Sequence, residues 1–247
     1  MNKKTLPPTT DFQRNFTLTI EMRFLADILF ILFPGRCDVC GRLLSETEKI
    51  LCSYCLLELP RTNFHSDPAN QVSMLFWGRV DISDASAWFY FQKGSPYQVL
   101  LHKLKYQGRN DIGIRLGRYY GAELIMSVFS KAEMIIPVPL HPLKKKKRGY
   151  NQSEMIAKGL SESLGIQMYT DVLVRSIFTE TQTRKNRFER FLNMDGKFIV
   201  KDPEVIHGRS VILVDDVVTT GSTIEACAAE LLKNGCGEIK ILVLAVA

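Results

Sequence analysis

With 247 residues, 46% hydrophobic and 23% charged, the chain is long enough for one core of about 150 residues plus a small accessory module, and its composition excludes a disordered or collagen-like protein. A formal net charge of +6 favours anionic partners without separating pyrophosphate from nucleic acid.

Residues 1–36 read as a polar N-terminal arm leading into an amphipathic helix. The apolar run from Phe24 to Phe33 is interrupted by Asp27 and stops at Pro34. About ten residues cannot span roughly 30 Å of hydrocarbon as a helix. No small-residue cleavage site follows, so neither a signal peptide nor a transmembrane segment is expected. Residues 24–33 are expected to pack on the protein itself rather than to lie on a membrane surface.

Residues 37–60 carry Cys37-Asp-Val-Cys40 and Cys52-Ser-Tyr-Cys55, with eleven residues between the two pairs. Two CxxC knuckles turn backbone N–H groups toward paired thiolates and together supply four sulfurs for a tetrahedral, structural Zn²⁺. Four cysteines leave no open coordination position, which argues against catalytic zinc. Disulfides are the competing reading; with no secretion signal the expected location is cytoplasmic, where thiols stay reduced. Cys227 and Cys236 lie apart and read as small buried or turn residues.

Residues 61–84 read as a polar connector containing Pro68 and the isolated pair Phe76-Trp77. From residue 85 to 247 the pattern is that of a second domain. A strand is expected around Ala85 to Phe91, then amphipathic helices at about 96–106 and 112–129, divided by the turn Gln107-Gly-Arg-Asn110. Met134 to Val138 reads as a buried strand. Phe76, Trp77, Trp88 and Tyr90 read as core or packing residues, with base stacking as the functional alternative.

At the end of that strand stands PVPLHPLKKKKRGYNQ. Pro139 and Pro142 stop the strand, and Lys144 to Lys147 with Arg148 place five consecutive cations at the carboxyl edge of a sheet. Gly149 suits a close turn, and Asn151 or Ser153 can start the next helix. A solvated basic turn is the bland alternative. His141, beside two prolines, reads as a turn residue. Further on, Gln182 to Asn193 intersperses Arg184, Lys185, Arg187 and Arg190 with Phe188 and Phe191, as in a short helix with one apolar edge.

Val211 to Thr223, VILVDDVVTTGST, concentrates the chemistry. Four aliphatic residues suit a central parallel strand buried on both faces, with Asp215 and Asp216 emerging at its carboxyl end. Thr219, Thr220, Gly221, Ser222 and Thr223 then lead into a helical pattern, so hydroxyls and backbone N–H groups converge at a positive helix N-terminus, a cradle for phosphate. Neighbouring carboxylates suit vicinal hydroxyls or a magnesium ion carried on the substrate. A phosphorylated ribose satisfies both. Ile239 to Val246 reads as the last strand, and the alternation of strands with helices predicts an α/β fold with a mostly parallel sheet and flanking helices.

The thirteen residues of VILVDDVVTTGST resemble the 5-phosphoribosyl-1-pyrophosphate (PRPP) loop of type I phosphoribosyltransferases. The order CxxC…CxxC, LKYQGR at 104–109, PVPLH…RGYNQ, the Gln182–Asn193 segment and VDDVVTTGST is similar to the ComF family, a zinc module fused to a phosphoribosyltransferase-like domain. The resemblance covers roughly residues 25–247. It implies that Asp215 and Asp216 hold the ribose hydroxyls of PRPP, directly or through Mg²⁺, and that Thr219 to Thr223 grip its 5-phosphate. It further implies that Lys147, Arg148 and Gly149 take pyrophosphate, and that Arg184, Lys185, Arg187 and Arg190 belong to a mobile loop closing over the substrate. Two functions follow from it. One is transfer of phosphoribose to an unidentified acceptor, with Asp215, Asp216 and Arg148 as the catalytic set. The other is a non-catalytic DNA-uptake factor that binds single-stranded DNA or competence and DNA-translocation proteins and keeps the PRPP pocket for sensing.

Overall fold

The computed structural model describes residues 34–176 and 198–247. The expected N-terminal helix, with its residues 24–33, and the basic segment carrying Arg184, Lys185, Arg187 and Arg190 lie outside these. The chain divides into two compact units, Met1–Glu58 and Leu59–Ala247.

In the first unit both CxxC pairs take up tight local structure. Cys37 N–H bonds Arg42 carbonyl, and Gly41 N–H returns to Cys37 carbonyl, which closes the first knuckle. The second pair opens a one-turn helix, α1 (Ser53–Leu57), in which the Cys52 sulfur caps the helix by accepting from Cys55 N–H. Leu44, Ile50 and Leu51, all buried, make up the small apolar base of this unit.

The second unit begins with residues expected to be only a connector. They instead carry a 3₁₀ turn (Phe64–Ser66) and a short helix, α2 (Gln71–Met74), capped by Asn70 through Val72 and Ser73 N–H. Val72 and Phe76 are fully buried in the main core, so the domain starts well before residue 85. Trp88 is also buried, whereas Trp77 is 60% exposed; of the four aromatics that could have faced bases, Phe76 and Trp88 are core.

Four strands make one wholly parallel sheet: β1 (Asp84–Tyr90), β2 (Met134–Pro137), β5 (Ser210–Val218) and β6 (Glu238–Val246), in the order β1-β6-β5-β2. Two further strands, β3 (Leu173–Arg175) and β4 (Phe198–Val200), pair antiparallel in a separate ribbon. Between them come α3 (Gln98–Tyr106), α4 (Asn110–Leu124), α5 (Pro142–Arg148), α6 (Gln152–Leu164), the short α7 (Pro203–Ile206) and α8 (Ser222–Lys233). Alternate residues of the sheet, including Ile136, Leu213 and Ile241, pack against Ile224, Cys227, Ala228 and Leu231 of α8. The intervening residues point the other way, toward α4 and α6, as the two-residue period of a strand requires. Cys227 and Cys236 are buried, as expected.

The contact between α4 and α6 is unusually close. A Cβ on Gly117 would lie 2.3 Å from the Ile156 carbonyl oxygen, and one on Gly159 would lie 2.0 Å from the Ile114 carbonyl oxygen. Only hydrogen fits at either position, so the helix backbones touch. This crossing sets where the N-terminus of α6 meets the sheet.

Two local expectations are revised. The strand that starts at Ser210 does not end at the acidic pair; it continues past Asp215 and Asp216 to Val218, because β6 extends alongside and pairs Asp215 with Val243 and Val218 with Val246. The lysine run is not a turn but the body of α5, with His141 Nδ1 capping Leu143 N–H, Pro142 in the first turn and Gly149 at the C-terminal cap. Proline fits a helix start, and four lysines and an arginine suit the negative end of the helix dipole.

Candidate functional site

The site is built where β5 passes into α8. Thr219 and Thr220 leave the strand, Gly221 occupies the cap position with φ of +75°, and Ser222 opens the helix. The N–H groups of a first helical turn have no intrahelical acceptors, and a glycine cap supplies no side chain to take them. They therefore face a shallow recess lined by Asp215, Val217 and residues 218–224. Thr219, Thr220, Ser222 and Thr223 are exposed around it, with Thr220 and Ser222 hydroxyls 3.1 Å apart. Directed N–H groups, hydroxyls and the positive end of a twelve-residue helix together suit a phosphate-sized anion.

Residues of the supposed connector hold this loop from behind. Phe76 packs on Gly221 so tightly that a Cβ there would be 2.9 Å from its ring. Arg79 donates to the Thr220 carbonyl at 2.9 Å and pairs with the Glu225 carboxylate. Phe76 reads as a packing residue in the sequence, but nothing local marks Arg79, and the partners of both are remote in the chain.

Asp215 and Asp216 are partly buried and follow each other along β5, so their side chains are fixed by different elements. Asp215 Oδ1 accepts from Ser153 Oγ at 2.8 Å and from the Asp216 N–H at 2.9 Å. Asp216 Oδ1 accepts from Val217 N–H at 2.7 Å, and its Oδ2 lies 2.8 Å from Lys105 Nζ. Burial and the adjacent Asp216 carboxylate push Asp215 up to about 7, against the Ser153 hydroxyl, the Asp216 N–H and Lys105, which favour its charged form. In the sequence Ser153 is legible only as a helix start, and Lys105 only as a member of the LKYQGR motif at 104–109.

The RGYNQ segment adds a third side. Arg148 Nη1 donates to Gln152 Oε1 at 2.6 Å, and its guanidinium lies over the Tyr106 ring at 5.3 Å. The Tyr150 hydroxyl donates to the Leu104 carbonyl, and Asn151 Nδ2 to the Val138 carbonyl at 2.9 Å. Asn151 also caps α6 through Ser153 N–H. Gln152 is almost fully buried, yet its Nε2 has no hydrogen-bond partner, an unpaired donor beside Arg148. Lys144 to Lys147 are all exposed, and Lys145 pairs with Glu154 at 3.1 Å. Lys147 and Gly149 thus flank the held Arg148.

The chain has relatives among known proteins. Residues 122–246 match the family described as "Phosphoribosyl transferase domain". The chain is 30% identical over 211 residues to DNA utilization protein YhgH of Escherichia coli O157:H7, covering 84% of this chain and 88% of that protein. It is 32% identical over 159 residues to competence protein F of Haemophilus influenzae, covering 61% of this chain and 68% of that one. The chain belongs to the ComF family. Among solved structures, purine phosphoribosyltransferase from Pyrococcus horikoshii matches 54% of this ComF chain and 73% of its own, at 22% identity and a TM-score of 0.34.

In the first unit the four sulfurs of Cys37, Cys40, Cys52 and Cys55 all lie within 4.8 Å of one another, and Cys40 and Cys52 Sγ are 3.6 Å apart. Tetrahedral bonds of about 2.3 Å to one zinc would separate sulfurs by about 3.8 Å, so the cluster fits a single ion of that size. Burial opposes ionisation of Cys37, but N–H donors of Cys40, Cys52 and Val39 outweigh it and bring that thiol down to about 7. Burial and the neighbouring thiols push Cys55 well up, the conflict expected where thiols crowd around one position. Among the described residues no helix is long and apolar enough to cross a membrane.

Proposed function

We propose that this protein binds Mg²⁺-bound PRPP between the β5–α8 loop, the acidic pair and the RGYNQ segment, and transfers phosphoribose to an unidentified acceptor. The observation that carries this reading is the glycine-capped N-terminus of α8 directly beyond two carboxylates held at different angles by Ser153 and Lys105. One half suits a phosphate, the other a pair of ribose hydroxyls. Displacement at the ribose carbon that carries pyrophosphate needs little acid or base, so positioning and charge stabilisation by fixed groups carry the chemistry. Thr219 to Thr223 hold the 5-phosphate. Asp215 and Asp216 orient the sugar and stabilise positive charge developing on it. Arg148, held by Gln152 and Tyr106, takes pyrophosphate together with Lys147 at the turn made by Gly149. Magnesium enters with the substrate and neutralises part of the pyrophosphate charge.

The four-cysteine unit is assigned a structural Zn²⁺, which ties two knuckles to one point. A place in DNA uptake or utilisation follows the names of the competence and DNA-utilisation relatives, and four thiols gathered for a metal suit a reducing, cytoplasmic location. A second reading, direct binding of single-stranded DNA or of a DNA-translocation partner, is favoured by the four consecutive exposed lysines of α5.

Calorimetric titration with PRPP and Mg²⁺, followed by assay of pyrophosphate release with candidate acceptors, tests the first reading. Wild type binds and Asp215→Ala plus Asp216→Ala does not; absence of PRPP binding by wild type overturns it. Charge reversal of Lys144 to Lys147 tests the second, since DNA affinity that neither falls with salt nor responds to the reversal excludes α5 as the contact.

A further inference from the structure

Lys105 is placed at the acidic pair by the fold rather than by its own flexibility. It sits in the last turn of α3, next to the fully buried Leu104, whose carbonyl accepts the Tyr150 hydroxyl. That bond ties the turn to the segment entering α6, the helix that also supplies Ser153 to Asp215. Lys105 is a quarter exposed and Asp216 14% exposed, so the ion pair is shielded from bulk screening. Both oxygens of Asp216 are engaged, one by Val217 N–H and the other by the ammonium.

We infer that Lys105 is a specificity-determining residue of this site. Its ammonium stands where a free divalent cation would otherwise bind Asp216, so the acidic pair accepts a ligand bringing vicinal hydroxyls or its own cation, and refuses bare metal. Carboxylate oxygens are the ligands that hard cations take. Lys105 removes that option while its remaining N–H donors stay available to ligand oxygens. The identity of the ligand rests on the sugar-phosphate reading above; the exclusion of free metal does not.

The experiment is Mn²⁺ binding, without any nucleotide or sugar, followed by electron paramagnetic resonance on protein whose cysteine site is loaded with zinc. Lys105→Met keeps the aliphatic stem and removes the charge, and its thermal midpoint verifies folding. It is expected to bind Mn²⁺ about tenfold or more tightly than wild type, because a half-buried carboxylate without its partner seeks another cation. Lys105→Arg restores exclusion, and adding Asp216→Asn to Lys105→Met abolishes the gain. Equal Mn²⁺ affinity in wild type and Lys105→Met, or a gain that survives Asp216→Asn, overturns the inference. Failure of wild type to bind Mg²⁺–PRPP in a parallel titration overturns the sugar-phosphate reading and leaves the Mn²⁺ comparison decisive for Lys105.

Discussion

Ser153 Oγ donates to Asp215 Oδ1 at 2.8 Å, joining the first turn of α6 to the middle of β5. A hydrogen bond to a carboxylate favours its ionised form, so Ser153 opposes the burial that raises Asp215. Ser153→Ala is expected to move the titration midpoint of Asp215 up by about one pH unit, equivalent to about 1.4 kcal/mol. Carboxyl carbon resonances followed against pH give the value, and an unmoved midpoint contradicts the assignment. Ser153→Thr, which keeps the hydroxyl, stays near wild type.

Gly221 faces two constraints, its left-handed φ and the Phe76 ring. Gly221→Ala is expected to cost about 1–3 kcal/mol in urea unfolding from backbone strain alone, with the clash adding to it. In a double-mutant cycle with Phe76→Ala the clash is relieved and the strain remains, so the two effects are non-additive. Strict additivity would show that Phe76 does not support the loop.

At the α4–α6 crossing, Gly117→Ala forces a Cβ to 2.3 Å from a backbone oxygen, which no side-chain rotation relieves. The expected loss is about 1–3 kcal/mol or more in chemical denaturation. Because the same crossing aims Ser153 at Asp215, ligand affinity falls further than a uniform loss of stability explains. A variant as stable as wild type would mean that the helices separate without penalty.

Removing the metal should unfold the cysteine unit selectively. Elemental analysis is expected to find one zinc per chain, and a chelator or Cys37→Ser to abolish hydrogen-exchange protection over residues 34–58. Structural zinc supplies about 10–16 kcal/mol in isolated finger peptides, more than the small apolar base here can replace. Retained protection in metal-free protein would exclude a zinc-dependent fold.

Acid stability has a local source at the opposite end of the sheet. Glu238 is lowered from 4.5 to about 2, chiefly by its bond to Lys240 and also by the Ser210 hydroxyl. A depressed carboxylate contributes stability that is complete above its unfolded value and is lost as pH falls toward its folded one. The stability gap between wild type and Glu238→Gln is therefore expected to shrink between pH 4.5 and 2. Glu238 is 42% exposed, so solvent screening keeps the gap itself small. Parallel curves down to pH 2 would remove Glu238 from the acid limb.

The parts legible in the sequence were those written in consecutive residues. The aliphatic run, the acidic pair, the hydroxyl loop and the CxxC pairs each carry local chemistry, and the parallel sheet followed from their alternation. What could not be read depends on pairing across the chain. β5 runs on to Val218 because β6 matches it there, not because Asp215 and Asp216 favour a strand. The lysine run becomes a helix through one proline and one histidine cap whose combined effect a charge pattern hides. Phe76, Arg79 and Lys105 matter through Gly221, Thr220 and Asp216, and no spacing rule links residues so far apart.

The sheet order β1-β6-β5-β2 has a temporal meaning during synthesis. β6 follows every other strand in the chain, yet it is an interior strand with β1 on one side and β5 on the other. Until residues through Val246 have left the ribosome, β1 has no neighbour in the sheet and the far edge of β5 stands open. The nascent protein thus exposes the pairing-competent edge of β1 from its emergence until β6 follows, and briefly that of β5 as well, the condition in which chaperone capture competes with aggregation. The acidic pair, held in line by β6, cannot take its final shape before that strand has paired.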